Sequence, residues 1–383
     1  MICEHFGRCG GCTYLDIPYE EELRIKRAAL EECLGIHGKL LGKLHAAPSP
    51  EGYRNKMEFA FGDEGKDGLL ALGIRKKRNY YEVATPLDCV LLPEDFKRIV
   101  RYALDFFRKT DETFFHRKRH TGALRHLVLR RGEYKGEILV TLSTSSTLKT
   151  SLEPFVHGLL ALPTEGKIVG VLHAINDGVA DAVKNENTIC IYGRDFYTEK
   201  IAGLLFKVSA FSFFQTNTKA AEILYGIVKE FAGQARETAL DLYCGTGTIA
   251  QIVSPHFKNV IGIELVEDAI LAARENAKQN NITNCTFYAG DVFTVLERLN
   301  SPALDVIIAD PPRDGLHPKA LAKITSLGKS SSIIYVACKP KSLARDIPAF
   351  LDAGFSLVKI EAVDMFPRTP HIEAVALLNY SNP

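Results

Sequence analysis

From about Leu205 onward this chain alternates short apolar runs with longer helical stretches, and that rhythm restricts the fold more than any other feature. ALDLY, NVIGIE, CTFYAG, LDVIIAD, SIIYVAC, FSLVKI and IEAVALL read as strands, and VEDAILAARENAKQN and PKSLARDIPAFLDA as helices between them. Parallel strands need a crossover, usually a helix, so the expected architecture is α/β: a doubly wound, mainly parallel sheet with helices on both faces. At 383 residues the chain is long for one core, which leaves room for a second body.

That second body is expected over residues 46–204. YRNKMEFAF, LLALGI, NYYEVA, LRHLVLRR, EILVTLS, KIVGVLHAI and TICIYG are short β-rich runs, with GDEGKDG as a hairpin loop between the first two. Helical stretches near EDFKRIVRYALDFFRK and LEPFVHGLLAL interrupt them, so an α+β domain with an antiparallel sheet is expected. Ahead of it, YEEELRIKRAALEECLG reads as an amphipathic helix ending at Gly35. The expected divisions are therefore 1–45, 46–204 and 205–383. No run of about 18 apolar residues is present, and the start lacks a signal peptide's apolar core, so a cytoplasmic protein without membrane segments is expected.

Net charge is only +1, but basic residues cluster in the middle body. IRKKRNYYE carries Arg75, Lys76, Lys77 and Arg78 beside Tyr80 and Tyr81, and HRKRHTGALRHLVLRR carries Arg117, Lys118, Arg119, Arg125, Arg130 and Arg131. Cations beside aromatics suit an RNA backbone with stacked bases; two ordinary solvated loops explain them equally well.

In DLYCGTGTIA, Asp241 to Ala250, a strand enters a glycine turn and a helix follows. Gly245 and Gly247 allow close backbone approach to a ligand. Read as G-x-G-x-x-A the stretch is a dinucleotide fingerprint; read as D-x-x-x-G-x-G it is a loop for S-adenosylmethionine. Glu264, ending the next strand, is placed to accept ribose hydroxyls in either case, and Asp291 to bond the adenine edge. The acid four residues before Gly245 favours the methyl donor.

Nine cysteines are present, and Cys3, Cys9 and Cys12 fall within the first twelve residues. Disulfides are improbable in a large cytosolic chain. Cys9 and Cys12 form a C-x2-C pair between glycines, Cys3 is a third ligand in reach, and Cys89 in TPLDCVLLPED is the best fourth. Spacing alone leaves zinc and an iron–sulfur cluster equally open.

Three further stretches carry chemistry. Asp310 in IADPPRDGLHP ends a strand where a cleft is expected, Cys338 in IIYVACKP occupies the same edge, and Glu373 in DMFPRTPHIEAVALL precedes an apolar strand. Singly, Cys338 would more often be a core residue, and Glu373 a solvated strand start. Together they suit one reaction. Uracil C5 is a poor nucleophile until a thiolate adds at C6; C5 then takes a methyl group, and a base removes its proton.

With CEHFGRCGGC, FSFFQTN, DLYCGTG, DPPRDGL, VACKP and DMFPRTPHIE in this order, the chain resembles the RNA (uracil-5-)-methyltransferase family, RumA-like group, over nearly its whole length. The resemblance implies a class I methyltransferase domain behind a central RNA-binding domain and an N-terminal iron–sulfur segment. It implies a [4Fe–4S] cluster on Cys3, Cys9, Cys12 and Cys89. It implies donor contacts from Gln215, Tyr243 and Glu264, and Phe213 near the target base. Asp310 would lie between donor and uracil, Cys338 would be the nucleophile and Glu373 the base. Lys339 stands where asparagine is usual and Arg368 where histidine is common, and both are expected to alter how RNA is held. Several relatives carry a small β-barrel domain ahead of the cysteines, whereas this chain starts at them. The expected substrate is large-subunit ribosomal RNA, with the T-loop uridine of transfer RNA second, and the expected state is a monomer. A nicotinamide-dependent oxidoreductase would account for the glycine loop, and a non-catalytic RNA-binding protein for the cysteines. Neither gives Cys338 and Glu373 a role.

Overall fold

The computed structural model describes residues 3–65, 68–77, 79–179, 187–234, 236–298, 303–329 and 331–381. Arg78, the side chains of Tyr80 and Tyr81, and Lys66 and Asp67 of the expected hairpin loop lie outside the described residues.

The chain opens with α1 (Tyr19–Leu34) and β1 (Leu41–His45). Glu20, Glu21 and Glu22 in the first turn of α1 oppose its positive N-terminal end, and Gly35, at φ 55°, ends it. Then come β2 (Lys56–Asp63), β3 (Leu70–Lys76), β4 (Asn79–Ala84), α2 (Glu94–Phe107), β5 (Leu124–Arg131), β6 (Glu137–Thr144), α3 (Glu153–Leu160), β7 (Lys167–Ile175) and β8 (Thr188–Gly193). These strands form one sheet in the order β3-β4-β2-β5-β6-β7-β8. The sheet is not purely antiparallel as expected: β6 and β7 run parallel, because α3 carries the chain back between them. An aromatic cluster seals α2 and α3 on the sheet, with Phe107 5.6 Å from Phe61 and 5.3 Å from Phe155.

A hairpin, β9 (Phe196–Ile201) and β10 (Leu204–Ser209), leads to the second body. There follow α4 (Thr218–Ala232), β11 (Arg236–Leu242), α5 (Thr248–Val253), β12 (Phe257–Glu264), α6 (Glu267–Gln279), β13 (Cys285–Ala289), α7 (Val292–Arg298), β14 (Val306–Ala309), α8 (Pro318–Leu327), β15 (Ser332–Ala337), α9 (Pro340–Asp352), β16 (Phe355–Val363) and β17 (Glu373–Tyr380). Their sheet runs β1-β16-β17-β15-β14-β11-β12-β13. It is mainly parallel, as expected, except that β17 inserts antiparallel between β15 and β16. One member is unexpected. β1 pairs parallel with β16, Leu41 opposite Ile360, so part of residues 1–45 belongs to this sheet.

The chain leaves β11 towards β12 and β13, then crosses back to β14 and β15 on the other side. Such a reversal opens a crevice at the carboxyl ends of the strands. Among the described residues no helix is long and apolar enough to cross a membrane.

Candidate active site

The crevice at the reversal collects the residues that the sequence singled out. The turn after β11 places Tyr243 at φ 62°, Gly245 at φ 52° and Gly247 at φ 74°. A Cβ on Gly247 would stand 2.7 Å from the Phe287 ring, so the turn packs down on β13 only with glycine there. Glu264, at the end of β12, accepts from Gly245 N at 3.2 Å and from Val266 N at 3.0 Å, which fixes its carboxylate beside the turn. Asp291, just past β13, accepts from Thr294 N at 3.3 Å, and its charge is felt at the Tyr243 hydroxyl. Beneath the turn, Asp241 is completely buried. Its Oδ2 accepts from Ala250 N at 2.9 Å, while Oδ1 has no partner. Burial pushes its carboxyl well above the ordinary range, with Asp310 and Glu264 adding repulsion.

A buried acid with an orphaned oxygen, beside Asp310 and Glu264, makes a cleft that an incoming cation stabilises, because the cation offsets the cost of ionising those carboxyls. That favours a ligand carrying an ammonium and a sulfonium, and opposes the pyrophosphate of a dinucleotide. The residues therefore fit the methyl donor better than nicotinamide.

On the other side of the reversal, Asp310 follows β14 and burial pushes its carboxyl up to about 7. Ala337 of β15 pairs with Ala374 of β17; Cys338 follows β15 and Glu373 opens β17, close enough that the Glu373 charge is felt at the Cys338 thiol. Glu373 is 3% exposed, and burial, reinforced by Asp310, raises it to about 8. Burial likewise pushes the Cys338 thiol up to about 11, with Glu373 and Asp310 raising it further. Arg313 acts in the opposite sense on both Cys338 and Glu373. Cys338, Lys339, Lys341, Arg313, His371 and Tyr14 line one open cavity of about 510 Å³.

Loop 210–217 closes the crevice from the first body's side. Gln215 is buried and hydrogen-bonds Tyr225, a buried phenol close to Asp310 and Glu373. Phe213, two residues earlier, is 73% exposed and therefore open to a stacking partner. Asn55, at the start of β2, donates to Gln215 O at 3.1 Å and Thr218 Oγ1 at 2.8 Å, so the two bodies share this loop. Arg313, Tyr225 and Asn55 escaped sequence reasoning. Only Arg313 left a signal, as the cation directly after the stiff PP turn that follows Asp310.

The four cysteines also converge. Cys3, Cys9, Cys12 and Cys89 surround a mostly enclosed apolar pocket with Phe6, Leu15, Ile74 and Val90. Burial pushes Cys12 up to about 12 and Cys3 to about 11, and mutual repulsion among the thiols adds to Cys12.

Two basic residues are not where RNA could reach them. Arg125 and Arg130, each 2% exposed, are structural. Arg125 donates to Asn176 O at 2.7 Å and lies over Phe115, and Arg130 donates to Ser212 O. Both faces of β5 are covered, so its charges turn inward onto carbonyls. Lys77, Lys118 and Arg119 are exposed. Arg368 also departs from expectation: its guanidinium, 11% exposed, bonds Ile17 O at 3.1 Å and Glu22 at 3.5 Å rather than facing a nucleic acid. Lys339 is exposed at the cavity mouth.

This fold and this acid-lined glycine turn define a class I methyltransferase domain joined to a β-rich accessory body. Residues 185–381 match the family described as tRNA (Uracil-5-)-methyltransferase. An uncharacterized RNA methyltransferase of Clostridium tetani is 43% identical over 97% of this chain and 82% of its own length. One from Caldanaerobacter subterraneus is 42% identical over 99% and 84%. The crystal structure of Pyrococcus abyssi tRNA (uracil-54, C5)-methyltransferase in complex with S-adenosyl-L-homocysteine is similar with a TM-score of 0.77 and 26% identity, covering 97% of this chain and 86% of that one. The chain belongs to the tRNA (uracil-5-)-methyltransferase family and is an S-adenosylmethionine-dependent RNA (uracil-5-)-methyltransferase.

Because Arg313 is the side-chain cation that holds down both Cys338 and Glu373, Arg313→Met is expected to move the rising limb of the kcat/KM pH profile to higher pH. A profile superimposable on wild type would remove Arg313 from that role.

Proposed function

We propose that the chain methylates C5 of a uridine in the T-loop of transfer RNA, through a transient bond between Cys338 and C6 of the ring. The observation that carries this is the proximity of Cys338, just past β15, to Glu373 at the start of β17, beside an acid-lined donor cleft. Ribosomal RNA was the first expectation from sequence. The transfer-RNA reading is now preferred, because the matching family description and the similar Pyrococcus structure both name tRNA.

When bound, the donor supplies an electrophilic methyl group on a sulfonium. Gln215, Tyr243, Gly245, Gly247, Glu264 and Asp291 are proposed to hold it, and Asp310 to lie between it and the ring. Phe213 would stack on the extruded base. The Cys338 thiolate forms an Sγ–C6 bond and pushes electrons onto C5. C5 takes the methyl group, and the sulfonium leaves as a neutral thioether. Glu373 then removes the C5 proton, the electrons restore the C5–C6 double bond, and Cys338 departs as thiolate. A cationic donor in the cleft would lower the cost of ionising Cys338 among these carboxylates. The exposed cations of the first body are proposed to hold RNA phosphates, a contact that weakens as salt rises.

We also propose that Cys3, Cys9, Cys12 and Cys89 hold a [4Fe–4S] cluster that anchors the N-terminal segment. What supports a shared centre is that all four cysteines line one apolar pocket. Anaerobically purified protein is expected to hold about four irons per chain with broad visible absorption. Stoichiometric zinc without iron would contradict it.

Labelled donor offered to unmodified transfer RNA and to large-subunit ribosomal RNA tests the target. Label in 5-methyluridine of the T-loop is expected. Label in ribosomal RNA alone would make ribosomal RNA the substrate, and label at another atom would refute the reaction.

A further inference from the structure

β16 ends at Val363 and β17 begins at Glu373, and these two residues are Cα partners across the ladder. Residues 364–372 are therefore the loop of a hairpin whose closing pair contains Glu373. The base of that loop is gripped by residues from the far end of the chain. Lys26, 2% exposed on α1, donates from Nζ to Asp364 Oδ1 at 2.8 Å and Phe366 O at 3.2 Å, and pairs with Glu22 at 2.7 Å. Tyr19 donates its hydroxyl to Asp364 Oδ2 at 2.9 Å. Further along the loop, Arg368 N donates to Glu22 Oε1 at 2.6 Å, and Arg368 O accepts from Thr13 N at 2.7 Å and Tyr14 N at 3.2 Å.

Arg368 has φ 67°, a conformation that a residue with a Cβ keeps only when its surroundings impose it. Its N–H and its C=O are both held by the N-terminal segment, so that segment imposes the strained bend. The bend sets the path from Arg368 to Glu373. Burying an ammonium between two carboxylates is a costly way to add stability alone, since a hydrophobic substitute of equal volume often serves as well. It does fix geometry, because each partner is directional and fully desolvated.

We infer that Lys26, with Tyr19 and Glu22, is a positioning residue for the reaction: it clamps the 364–372 loop so that the Glu373 carboxylate meets the C5 proton of the ring bound to Cys338. The inference rests on the proposed role of Glu373. It assigns α1 a function in the proton-removal step and none in donor binding.

The test compares Lys26→Met, Lys26→Arg, Tyr19→Phe and Glu373→Gln in the full, metal-loaded protein with transfer RNA and S-adenosylmethionine. Reactions are quenched in denaturant, the methylated protein–RNA adduct is weighed, and donor affinity is read by calorimetry. Lys26→Met is expected to slow turnover about 10- to 100-fold while the methylated adduct accumulates and donor affinity holds. Lys26→Arg recovers most of the rate. Tyr19→Phe, a milder loss of one hydrogen bond, slows the same step about threefold and carries the test if Lys26→Met does not fold. Folded variants that turn over like wild type, or that lose donor binding and adduct together, overturn the inference. Glu373→Gln separates the failures. Adduct trapped by it but by no clamp variant overturns the clamp alone, and adduct trapped by none overturns the role of Glu373 and the clamp with it.

Discussion

Cys338→Ala is expected to lose methyl transfer by about 10⁴-fold or more while binding S-adenosylmethionine as well as the wild type. The thiol lies at the cavity side of the crevice, near Glu373, whereas the glycine turn and Glu264 lie across the strand reversal. Removing one sulfur leaves that turn, its buried Asp241 and its hydrogen bonds untouched. Without an Sγ–C6 bond, C5 remains a poor nucleophile however well donor and ring are aligned. Calorimetric donor titration beside a methyl-transfer assay reads both halves. A variant that still transfers methyl at a tenth of the rate or better, roughly 1.4 kcal/mol of barrier, would show that the thiol is dispensable.

Glu373→Gln is expected to act later. The ring is attacked and methylated, but the amide cannot take the C5 proton, so enzyme and RNA stay joined through Cys338. Denaturing electrophoresis after a single turnover should find the protein shifted by the mass of the RNA, with multiple turnover lost. Stability moves the other way. The folded-state carboxyl titrates at about 8, above its ordinary 4.5, because the buried site disfavours the charge. Its contribution to stability is thus fully present below about 4.5 and is lost as pH rises through 8. At pH 9 the glutamine variant should melt higher than wild type, and at pH 4 the two should coincide. Equal melting at both values would mean that the carboxylate is better solvated than its 3% exposure implies.

Much of this architecture was legible in the sequence where hydrophobic period and length agree. The strands from ALDLY to IEAVALL and the two long helices between them appear within a few residues of their expected bounds. β1 was not legible, since LGKLH holds two apolar residues in five and its pairing depends on a strand more than 300 residues away. The β9–β10 hairpin also escaped. Its turn is Ala202-Gly203, with Ala202 at φ 50°, where a turn signal would ordinarily be asparagine or glycine. The basic run was misread in part because LRHLVLRR is covered on both faces, so charge count overstated what solvent can reach. The site itself was legible as isolated motifs. Their shared chemistry implied that they converge, but the route was not legible, because it depends on β17 inserting beside β15, and nothing local in IEAVALL dictates that neighbour. Arg368 was legible as a departure from the family pattern, but its partners on α1 lie too far away in sequence to be anticipated.

The central claim is a covalent bond from Cys338 to C6 of uracil, and RNA carrying 5-fluorouridine at the target position tests it most directly. Fluorine at C5 leaves no proton for a base to remove, so addition and methylation should proceed and release should not. Digestion and mass measurement are expected to find the methylated fluorinated nucleotide on the peptide bearing Cys338. Unmodified Cys338 beside RNA that has been methylated and released, or the nucleotide on a different residue, would contradict it.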